Sequence, residues 1–205
     1  MANPNFKIAA TDGRARAGVL SMQRHALNTP TFMPVGTRGS VRTITSQDLE
    51  ELGADIILGN TYHLMLRPGE DLIEEFGGIH GFADWKRLIL TDSRGYQVFS
   101  LEPDVDDDGV EFKSTYDGSL HRLTPERAVD IQCSLGADIQ MVLDVCPPIP
   151  AEKKVLEIAV ERTHKWAIRG RNHFLLREKS FENERAQFGI VQGGLDPKLR
   201  QISAQ

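Results

Sequence analysis

The chain has 205 residues, of which 40% are hydrophobic and 26% charged, and its formal net charge is −5. This ordinary globular composition predicts one domain or slightly more, and the mild acidity argues against a protein that coats nucleic acid through charge alone, while leaving room for a local basic patch. No apolar run approaches the roughly 18 residues of a transmembrane helix, and residues 1–10 contain no secretory signal, so we expect a cytoplasmic protein without membrane contact.

Short apolar runs recur along the chain and predict β-strands. The first covers residues 29–35, and four more follow at 54–60, 87–92, 137–144 and 186–192. Helix patterns lie between these runs. Because continuous apolar strands that alternate with helices are typical of a parallel sheet covered on both faces, we predict an α/β fold.

Three helices can be placed from their start signals and periodicity. Thr45 and Asp48 have the spacing of a capping box ahead of a short helix. Thr124 is an N-cap candidate, and Pro125 follows it at the first helical position. Residues 151–178 carry apolar side chains at steps of three and four, which predicts a long helix.

Residues 101–123 interrupt the alternation of strands and helices. Asp117 and Gly118 predict a hairpin turn, and therefore an antiparallel insertion in this region. The other strands number about five, whereas a closed eight-stranded α/β barrel usually needs about 250 residues. A TIM-type barrel would therefore be incomplete in this chain, and we expect the 205 residues to be part of a larger α/β fold.

Polar residues stand where four of the predicted strands end, namely Asn60, Asp92, Asp144 and Gln192. Functional groups of parallel α/β folds gather at these carboxyl ends. Two carboxylates on neighbouring strand ends repel each other unless a ligand or a proton lies between them, which is how general acid/base pairs are built. The amide of Gln192 adds both a hydrogen-bond donor and an acceptor.

The turn after Asp92 adds backbone donors and an aromatic ring. Ser93, Arg94 and Gly95 form this turn, and Tyr96 supplies a stacking face. A carboxylate, an amide, exposed N–H groups and an aromatic ring together match the edge and face of a planar purine. For a single strand-end aspartate, N-capping of the next helix is an equally good interpretation.

No metal site is predicted from the residues of this chain. The acidic segment 104–109 begins like a calcium loop, but Thr115 stands where a bidentate glutamate belongs. Cys133 and Cys146 are too few for a zinc cluster, and the six histidines are scattered. Because no histidine can be paired with Cys146 from the sequence, we expect it to be a small thiol in the pocket, not a nucleophile.

Four motifs together resemble the tRNA-guanine transglycosylases in order and spacing, and the resemblance covers essentially the whole chain. They are GNTYHLMLRPG (59–69), LTDSRGYQVFSL (90–101), MVLDVCPP (141–148) and FGIVQGG (188–194). The resemblance implies an irregular (β/α)8 barrel with inserted strands, of which residues 1–205 are the N-terminal part. The activity that it implies is exchange of guanine at the tRNA wobble position for a 7-deazaguanine in the queuosine pathway.

The same resemblance assigns roles to Asp92 and to the turn after the predicted strand at 87–92. It implies that Asp92 is the acid/base residue, which handles the proton of the departing or entering base. Ser93, Arg94 and Gly95 correspond to the turn that lines the pocket. Tyr96 corresponds to the aromatic residue that sandwiches the base.

The remaining strand ends also acquire roles from the resemblance. Asp144 and Gln192 match the pair that reads the guanine edge, and Cys146 lies close to them. Asn60 is similar to the residue that holds the acid/base Asp92 in place. The implied chemistry is a double displacement through a covalent ribosyl–aspartate, on a base flipped out of the single-stranded anticodon loop.

Several parts of the family pattern are expected beyond Gln205. They are the nucleophilic aspartate, a structural zinc site and the basic subdomain that grips tRNA. We therefore expect no cofactor in this chain, zinc in the full-length protein, and little activity from the 205 residues alone. The expected partners are tRNA with guanine at the wobble position, a guanine or 7-deazaguanine base, and a second copy of the full-length chain.

Two positions depart from the family pattern. Arg94 stands where the family turn carries glycine, and Val145 stands where an acidic residue is more common. An arginine in place of glycine crowds the mouth of the pocket and restricts the backbone. These departures lend modest support to an alternative interpretation, a truncated or degenerate paralogue that acts as a partner or binding subunit, while the enzyme remains the first interpretation.

Overall fold

The computed structural model describes residues 5–93, 104–181 and 183–205, and an antiparallel sheet stands first in the chain. This N-terminal sheet contains β1 (Asn5–Asp12), β2 (Ala15–Ser21) and β3 (Ala26–Thr29). Its strands pair in chain order, β1 with β2 and β2 with β3.

Further strands and helices alternate along the rest of the described chain. The strands are β4 (Val35–Gly36), β5 (Ile56–Gly59), β6 (Leu88–Thr91), β7 (Asp104–Val105), β8 (Val110–Lys113), β9 (Leu120–Leu123), β10 (Ile139–Met141) and β11 (Ala186–Phe188). The helices are α1 (Ser46–Glu51), α2 (Thr61–Leu64), α3 (Glu70–Glu75), α4 (Gly78–Ala83), α5 (Pro125–Leu135), α6 (Lys153–Glu178) and α7 (Pro197–Ser203), with a π-helical turn at Met65–Gly69. None of the helices described is long and apolar enough to cross a membrane.

Five parallel strands form the central sheet, in the order β4-β5-β6-β10-β11. These five strands have the same order in the sheet as in the sequence, and every neighbouring pair is parallel. Within the residues that the structure describes, the sheet is open and does not close into a barrel. The predicted α/β fold with a parallel sheet and helices is therefore confirmed.

The central sheet separates two apolar clusters, because successive side chains of a strand point to opposite faces. Ile57 and Ile89 point to the helical face, where they join a cluster that contains Ile131 of α5. Ile56 and Leu88 point to the other face and pack against the N-terminal sheet. The residues that this sheet contributes to the second cluster, with the loop that follows β2, are Leu20, Met22 and Leu27.

The strand predicted over residues 29–35 forms only at its end, in β4. Val35–Gly36 pairs with β5, whereas the residues before it lie outside any strand after β3 ends at Thr29. Pro30 and Pro34 have no N–H to donate to a ladder, which explains the short strand. The carbonyl of Pro34 still accepts a hydrogen bond from the N–H of Leu58 at 2.9 Å.

The predicted antiparallel insertion is present as the sheet β7-β8-β9. Asp117 and Gly118 lie in the loop between β8 and β9, as expected, but this loop spans residues 114–119 and is longer than a two-residue turn. Gly118 has a φ of 73°, a left-handed conformation that glycine adopts without strain. The acidic side chain of Asp106 accepts hydrogen bonds from Arg122 at 2.7 and 2.9 Å.

The long helix α6 is held against this insertion by its basic and aromatic residues. Trp166 donates its Nε1–H to the carbonyl oxygen of Asp107 at 2.9 Å. Arg169 pairs with Glu126 at 2.8 Å and with Asp108 at 3.2 Å. The guanidinium of Arg169 lowers the pKa of Glu126 to about 2. The basic face of α6 therefore serves the fold by anchoring the insertion.

Both predicted helix caps are present. The Oγ1 of Thr45 accepts from the N–H of Asp48 at 3.1 Å, and Asp48 accepts in return from the N–H of Thr45 at 2.8 Å. The Oγ1 of Thr124 accepts from the N–H of Arg127 at 3.2 Å, and α5 ends before Gly136, whose φ is 72°. Helix α5 supplies much of the helical face of the core, so its cap contributes to the stability of the sheet.

The variant Thr124→Ala is expected to lose about 1 kcal/mol of unfolding free energy, because it leaves the first turn of α5 without its side-chain acceptor. Urea denaturation followed by circular dichroism measures this loss. The control is Thr124→Ser, which keeps the hydroxyl and should stay within about 0.5 kcal/mol of the parent protein. Equal stability of the alanine and serine variants would show that the cap contributes nothing.

Candidate functional site

Four polar side chains lie at the carboxyl edge of the central sheet. Asn60 follows β5, Asp92 follows β6, Asp144 lies just beyond β10, and Gln192 lies just beyond β11. Asn60, Asp144 and Gln192 are 4%, 6% and 7% exposed, whereas Asp92 is half-buried. Because parallel strands end on the same side, the sheet brings these groups together at one edge, as the sequence predicts.

The carboxylate of Asp92 is held by the start of helix α2. The Nδ2 of Asn60 donates to Oδ2 of Asp92 at 2.8 Å, and the backbone N–H of Thr61 donates to Oδ1 at 2.9 Å. The hydroxyl of Thr61 donates to the carbonyl oxygen of Asp92 at 2.7 Å. Asn60 is itself fixed, since its Oδ1 accepts from the N–H of His63 at 3.3 Å. Both oxygens of Asp92 are therefore fixed in direction.

The carboxylate of Asp144 is buried and receives two side-chain donors. The hydroxyl of Ser93 donates to Oδ1 at 3.0 Å, and the Nε2 of Gln192 donates to Oδ2 at 2.6 Å. Burial raises the pKa of Asp144 from 3.8 to about 6, although both hydrogen bonds favour the ionised form. Asp144 is therefore ionised at neutral pH and becomes protonated under mildly acidic conditions.

The two carboxylates belong to one hydrogen-bonded assembly. Ser93 follows Asp92 directly in the chain, and its hydroxyl donates to Asp144. A chain of contacts thus runs from Asn60 through Asp92 and Ser93 to Asp144 and Gln192. The carboxyl group of Asp144 is an acceptor in a dry setting, whereas that of Asp92 is partly accessible and suited to exchanging a proton.

Backbone contacts from two helices fix the strand ends. The N–H of Val145 donates to the hydroxyl of Thr163 in α6 at 3.0 Å. The N–H of Gln192 donates to the hydroxyl of Ser203 in α7 at 2.9 Å. These contacts hold the residues on either side of the Asp144 carboxylate, and they restrict where that carboxylate can point.

Cys146 lies beside Asp144, as the sequence predicts, and is half-buried. Burial raises the pKa of its thiol, and the negative charge of Asp144 raises it further. A thiol with a raised pKa is a poor nucleophile at neutral pH. This agrees with the expectation that Cys146 is a pocket residue and not the attacking group.

Three residues of the predicted site, Arg94, Gly95 and Tyr96, lie outside the described residues. The described ranges contain no group of three or more histidine, cysteine, aspartate or glutamate side chains that could hold a metal ion. Cys133 is buried in a separate apolar cluster with Phe174 and is not part of the site.

Sequence reasoning missed the residues that support the site from neighbouring elements. Thr61 contacts Asp92 through its backbone and its hydroxyl, and Thr163 holds Val145 from a helix that begins after it in the chain. Thr61 could have been found, because it directly follows a strand-end asparagine at the start of a helix. The first N–H groups of a helix have no partner within it, so the N–H of Thr61 can donate to a neighbouring carboxylate. No comparable signal marks Thr163.

Comparison with known proteins agrees with the four sequence motifs. Residues 11–205 match the family model described as queuine tRNA-ribosyltransferase. Proteins of that name from Thermotoga neapolitana and Sphingopyxis alaskensis are 50% and 52% identical over 200 and 201 residues, which is 97% of this chain and 53% of each relative. The protein of that name from Herpetosiphon aurantiacus is 48% identical over 206 residues, which is 100% of this chain and 51% of the relative.

The chain therefore spans about half the length of the curated relatives it matches. The matched residues include all four polar residues of the site, from Asn60 to Gln192. The resemblance inferred from the motifs is confirmed, and the chain belongs to the queuine tRNA-ribosyltransferase family.

Proposed function

We propose that the protein exchanges the guanine at the wobble position of a tRNA for a 7-deazaguanine, and that this chain carries the base-recognition and acid/base half of the site. The single observation that carries the proposal is the pairing of the buried Asp144 carboxylate with Ser93 and Gln192, beside a fixed Asp92. Family membership supports the same reaction class.

Recognition of the base is assigned to Asp144 and Gln192. Guanine presents adjacent N–H donors on its ring and exocyclic amine, and a carboxylate can accept both. The amide of Gln192 has a carbonyl acceptor and an N–H donor with which to complete the contact. Cys146 lines the same part of the site, and we assign the turn residues Arg94 and Gly95 to the wall of the pocket.

Proton transfer is assigned to Asp92. A departing guanine must gain a proton and an entering base must lose one, and a partly accessible carboxylate with fixed oxygens can carry this proton. Asn60 and Thr61 orient it. Tyr96 is assigned to stacking on the base, and a second aspartate in the rest of the protein is assigned to attack on the ribose C1′, with release of guanine and retention after the second displacement.

The finer architecture also belongs to this proposal. We infer that the five parallel strands are part of a (β/α)8 barrel, with residues 1–205 as the N-terminal part of its single domain. Zinc is expected as a structural ion of the full-length family member. The described residues of this chain do not fit it, and no step of the mechanism involves it. Action on tRNA in the cytoplasm by a homodimer completes the proposal.

Titration of the complete protein with free guanine tests the recognition half of the proposal. We expect guanine to bind at pH 8, where Asp144 is ionised, and adenine to bind at least about 100-fold more weakly, because adenine offers an acceptor where guanine offers its ring N–H. Exchange is tested by incorporation of labelled guanine into a tRNA with guanine at the wobble position. Equal affinity for the two purines would refute the recognition assignment.

The alternative is a degenerate paralogue that acts as a partner or binding subunit, and it rests on Arg94 and Val145. Val145 is buried in the core, and its N–H is used by Thr163, so its side chain fills space without disturbing the hydrogen bonds of Asp144. A complete protein that binds guanine but incorporates none into tRNA would support this alternative.

A further inference from the structure

Basic residues from separate elements surround one tyrosine at the carboxyl edge of the sheet. Arg38 lies in the loop after β4, His63 is in α2, Arg67 is in the π-helical turn that follows, and Tyr116 is in the loop between β8 and β9. We call these four residues the Tyr116 cluster. Three of its members can carry a positive charge, in a chain whose net charge is negative.

The contacts within the Tyr116 cluster are specific. The Nη2 of Arg38 donates to the hydroxyl oxygen of Tyr116 at 2.9 Å, and the Nδ1 of His63 lies 2.8 Å from the same oxygen. The guanidinium carbons of Arg67 and Arg38 lie 4.7 and 5.5 Å from the centroid of the tyrosine ring, within cation–π distance. The ring therefore holds two guanidinium groups close together.

Backbone geometry explains why Arg67 reaches the ring. Pro68 follows it, and a residue before proline is driven out of the helical region of φ and ψ. Arg67 accordingly has a φ of −152° and a ψ of 116°, an extended conformation inside an otherwise helical segment. Its side chain leaves the helical path and lies on Tyr116.

The two arginines of the cluster have no acidic partner among the residues that the structure describes. Arg24, Arg87, Arg122, Arg127, Arg162, Arg169 and Arg177 each pair with a carboxylate. Arg38 and Arg67 are exposed and form no such pair with the described carboxylates, and neither does the neighbouring Arg42. Bringing like charges together is unfavourable unless an anion joins them.

Room for an anion exists beside the cluster. A cavity of about 460 Å³ is lined by Val35, Thr37, Arg38, Ser40, Arg42 and His63. It offers two guanidinium groups and two hydroxyl groups, which are the donors that proteins use for phosphate. The cavity is open to solvent and opens at the loop after β4, so an extended chain can pass over it.

The Tyr116 cluster is physically joined to the base site. The N–H of His63 donates to Asn60, and Asn60 donates to Asp92. One turn of helix α2 therefore separates the cluster from the acid/base carboxylate. A nucleotide whose base enters the site must leave its phosphates outside, and we expect them to lie near these donors.

We propose that the cavity beside the Tyr116 cluster binds a backbone phosphate of the RNA strand next to the nucleotide whose base enters the site, with Arg38 and Arg42 as the phosphate ligands and Arg67 adding positive charge from the Tyr116 ring. This inference rests on the proposed function, because the base site fixes where the strand runs. Phosphate contacts of this kind set the register of the strand and add no base specificity. Each one makes the affinity depend on salt.

Binding of a synthetic anticodon stem-loop RNA with guanine at the wobble position tests the proposal, measured with the complete protein across a series of salt concentrations. Arg38→Ala is expected to weaken binding about tenfold at low salt, and to lower the slope of log affinity against log salt by up to about 0.7, the value for complete loss of one phosphate contact with a single strand. Arg38→Lys should keep the slope, since it keeps the charge.

The matched control is Arg14→Ala, which removes the same charge from the exposed turn between β1 and β2. It should leave the slope unchanged. Equal slopes for Arg38→Ala and Arg14→Ala would overturn the proposal. A change in oligomeric mass of Arg38→Ala with an unchanged RNA slope would also overturn it, because the cluster would then lie between two copies of the chain.

Free guanine separates this inference from the proposed function. Arg38→Ala should bind guanine as the parent protein does, and an equal loss of guanine and RNA affinity would overturn the phosphate assignment. If the parent protein binds no guanine but Arg38→Ala still lowers the salt slope, the phosphate contact stands and base exchange fails.

Discussion

The variant Asp144→Asn is expected to lose guanine binding by at least about 100-fold at pH 8, because it removes the charge that accepts two N–H groups of the base. Ser93 and Gln192 point their donors at this carboxylate, so no other described side chain is placed to replace it. Calorimetric titration with free guanine measures the loss. The control is Asp84→Asn, an equivalent change at an exposed position.

The parent protein should show a pH dependence that the variant lacks. Burial raises the pKa of Asp144 to about 6, so its carboxylate is lost as the pH falls below that value. Guanine affinity should then fall about tenfold per pH unit below about 6. Asparagine does not titrate in this range, so a pH profile of the variant that followed that of the parent would contradict the assignment of Asp144.

As the pH falls, the contribution of Asp144 to folding stability should become more favourable, whereas guanine affinity should decrease. A carboxyl group whose pKa is raised on folding favours the fold below its unfolded value of 3.8, and that contribution is lost as the pH rises through about 6. The rise corresponds to roughly 3 kcal/mol at neutral pH. Asp144→Asn should therefore be more stable than the parent protein by about 1 to 3 kcal/mol at pH 8, and should gain little at pH 4.

The strand-end residues could be predicted from sequence because the physics that places them is simple. Parallel strands end on one edge, so a polar residue after each apolar run must lie near the others, and Asn60, Asp92, Asp144 and Gln192 do. Apolar runs overestimate strand length, however. The runs at 54–60 and 137–144 contain ladders only at Ile56–Gly59 and Ile139–Met141, and Asn60 already belongs to the start of helix α2 as its N-cap.

The surroundings of the site could not be predicted, because they depend on how loops meet. Arg38 and Tyr116 are 78 residues apart in the chain, and His63 and Tyr116 are 53 apart, so no local pattern joins them. The insertion that carries Tyr116 was predicted, but its orientation on the central sheet was not. Phe112 and Leu123 of this insertion pack into the helical core, and ion pairs join its acidic loop to α6. These pairs involve residues that sequence alone assigns only to a charged helix face.

The variant Asp92→Asn is expected to lower the rate of guanine exchange into tRNA by about 10²- to 10⁴-fold, the range for loss of a general acid/base group. Affinity for free guanine should change little, because recognition is assigned to Asp144 and Gln192. Incorporation of labelled guanine at saturating tRNA measures the rate in the complete protein, and titration measures the affinity. A parallel loss of both would mean that Asp92 binds the base and does not move its proton.

A second variant separates proton transfer from a structural effect. In Asp92→Asn the new amide group faces the Nδ2 of Asn60, which is also a donor. Asn60 cannot turn over to offer its oxygen, because that oxygen accepts from the N–H of His63. The single variant therefore also loses a hydrogen bond. Adding Asn60→Asp restores a donor–acceptor pair between the two positions and should recover the stability. The double variant has its carboxylate at the end of β5, whereas the parent protein has it at the end of β6. Exchange should therefore stay low in the double variant, since proton transfer depends on where the carboxylate stands, and recovered exchange would assign Asp92 a purely electrostatic role.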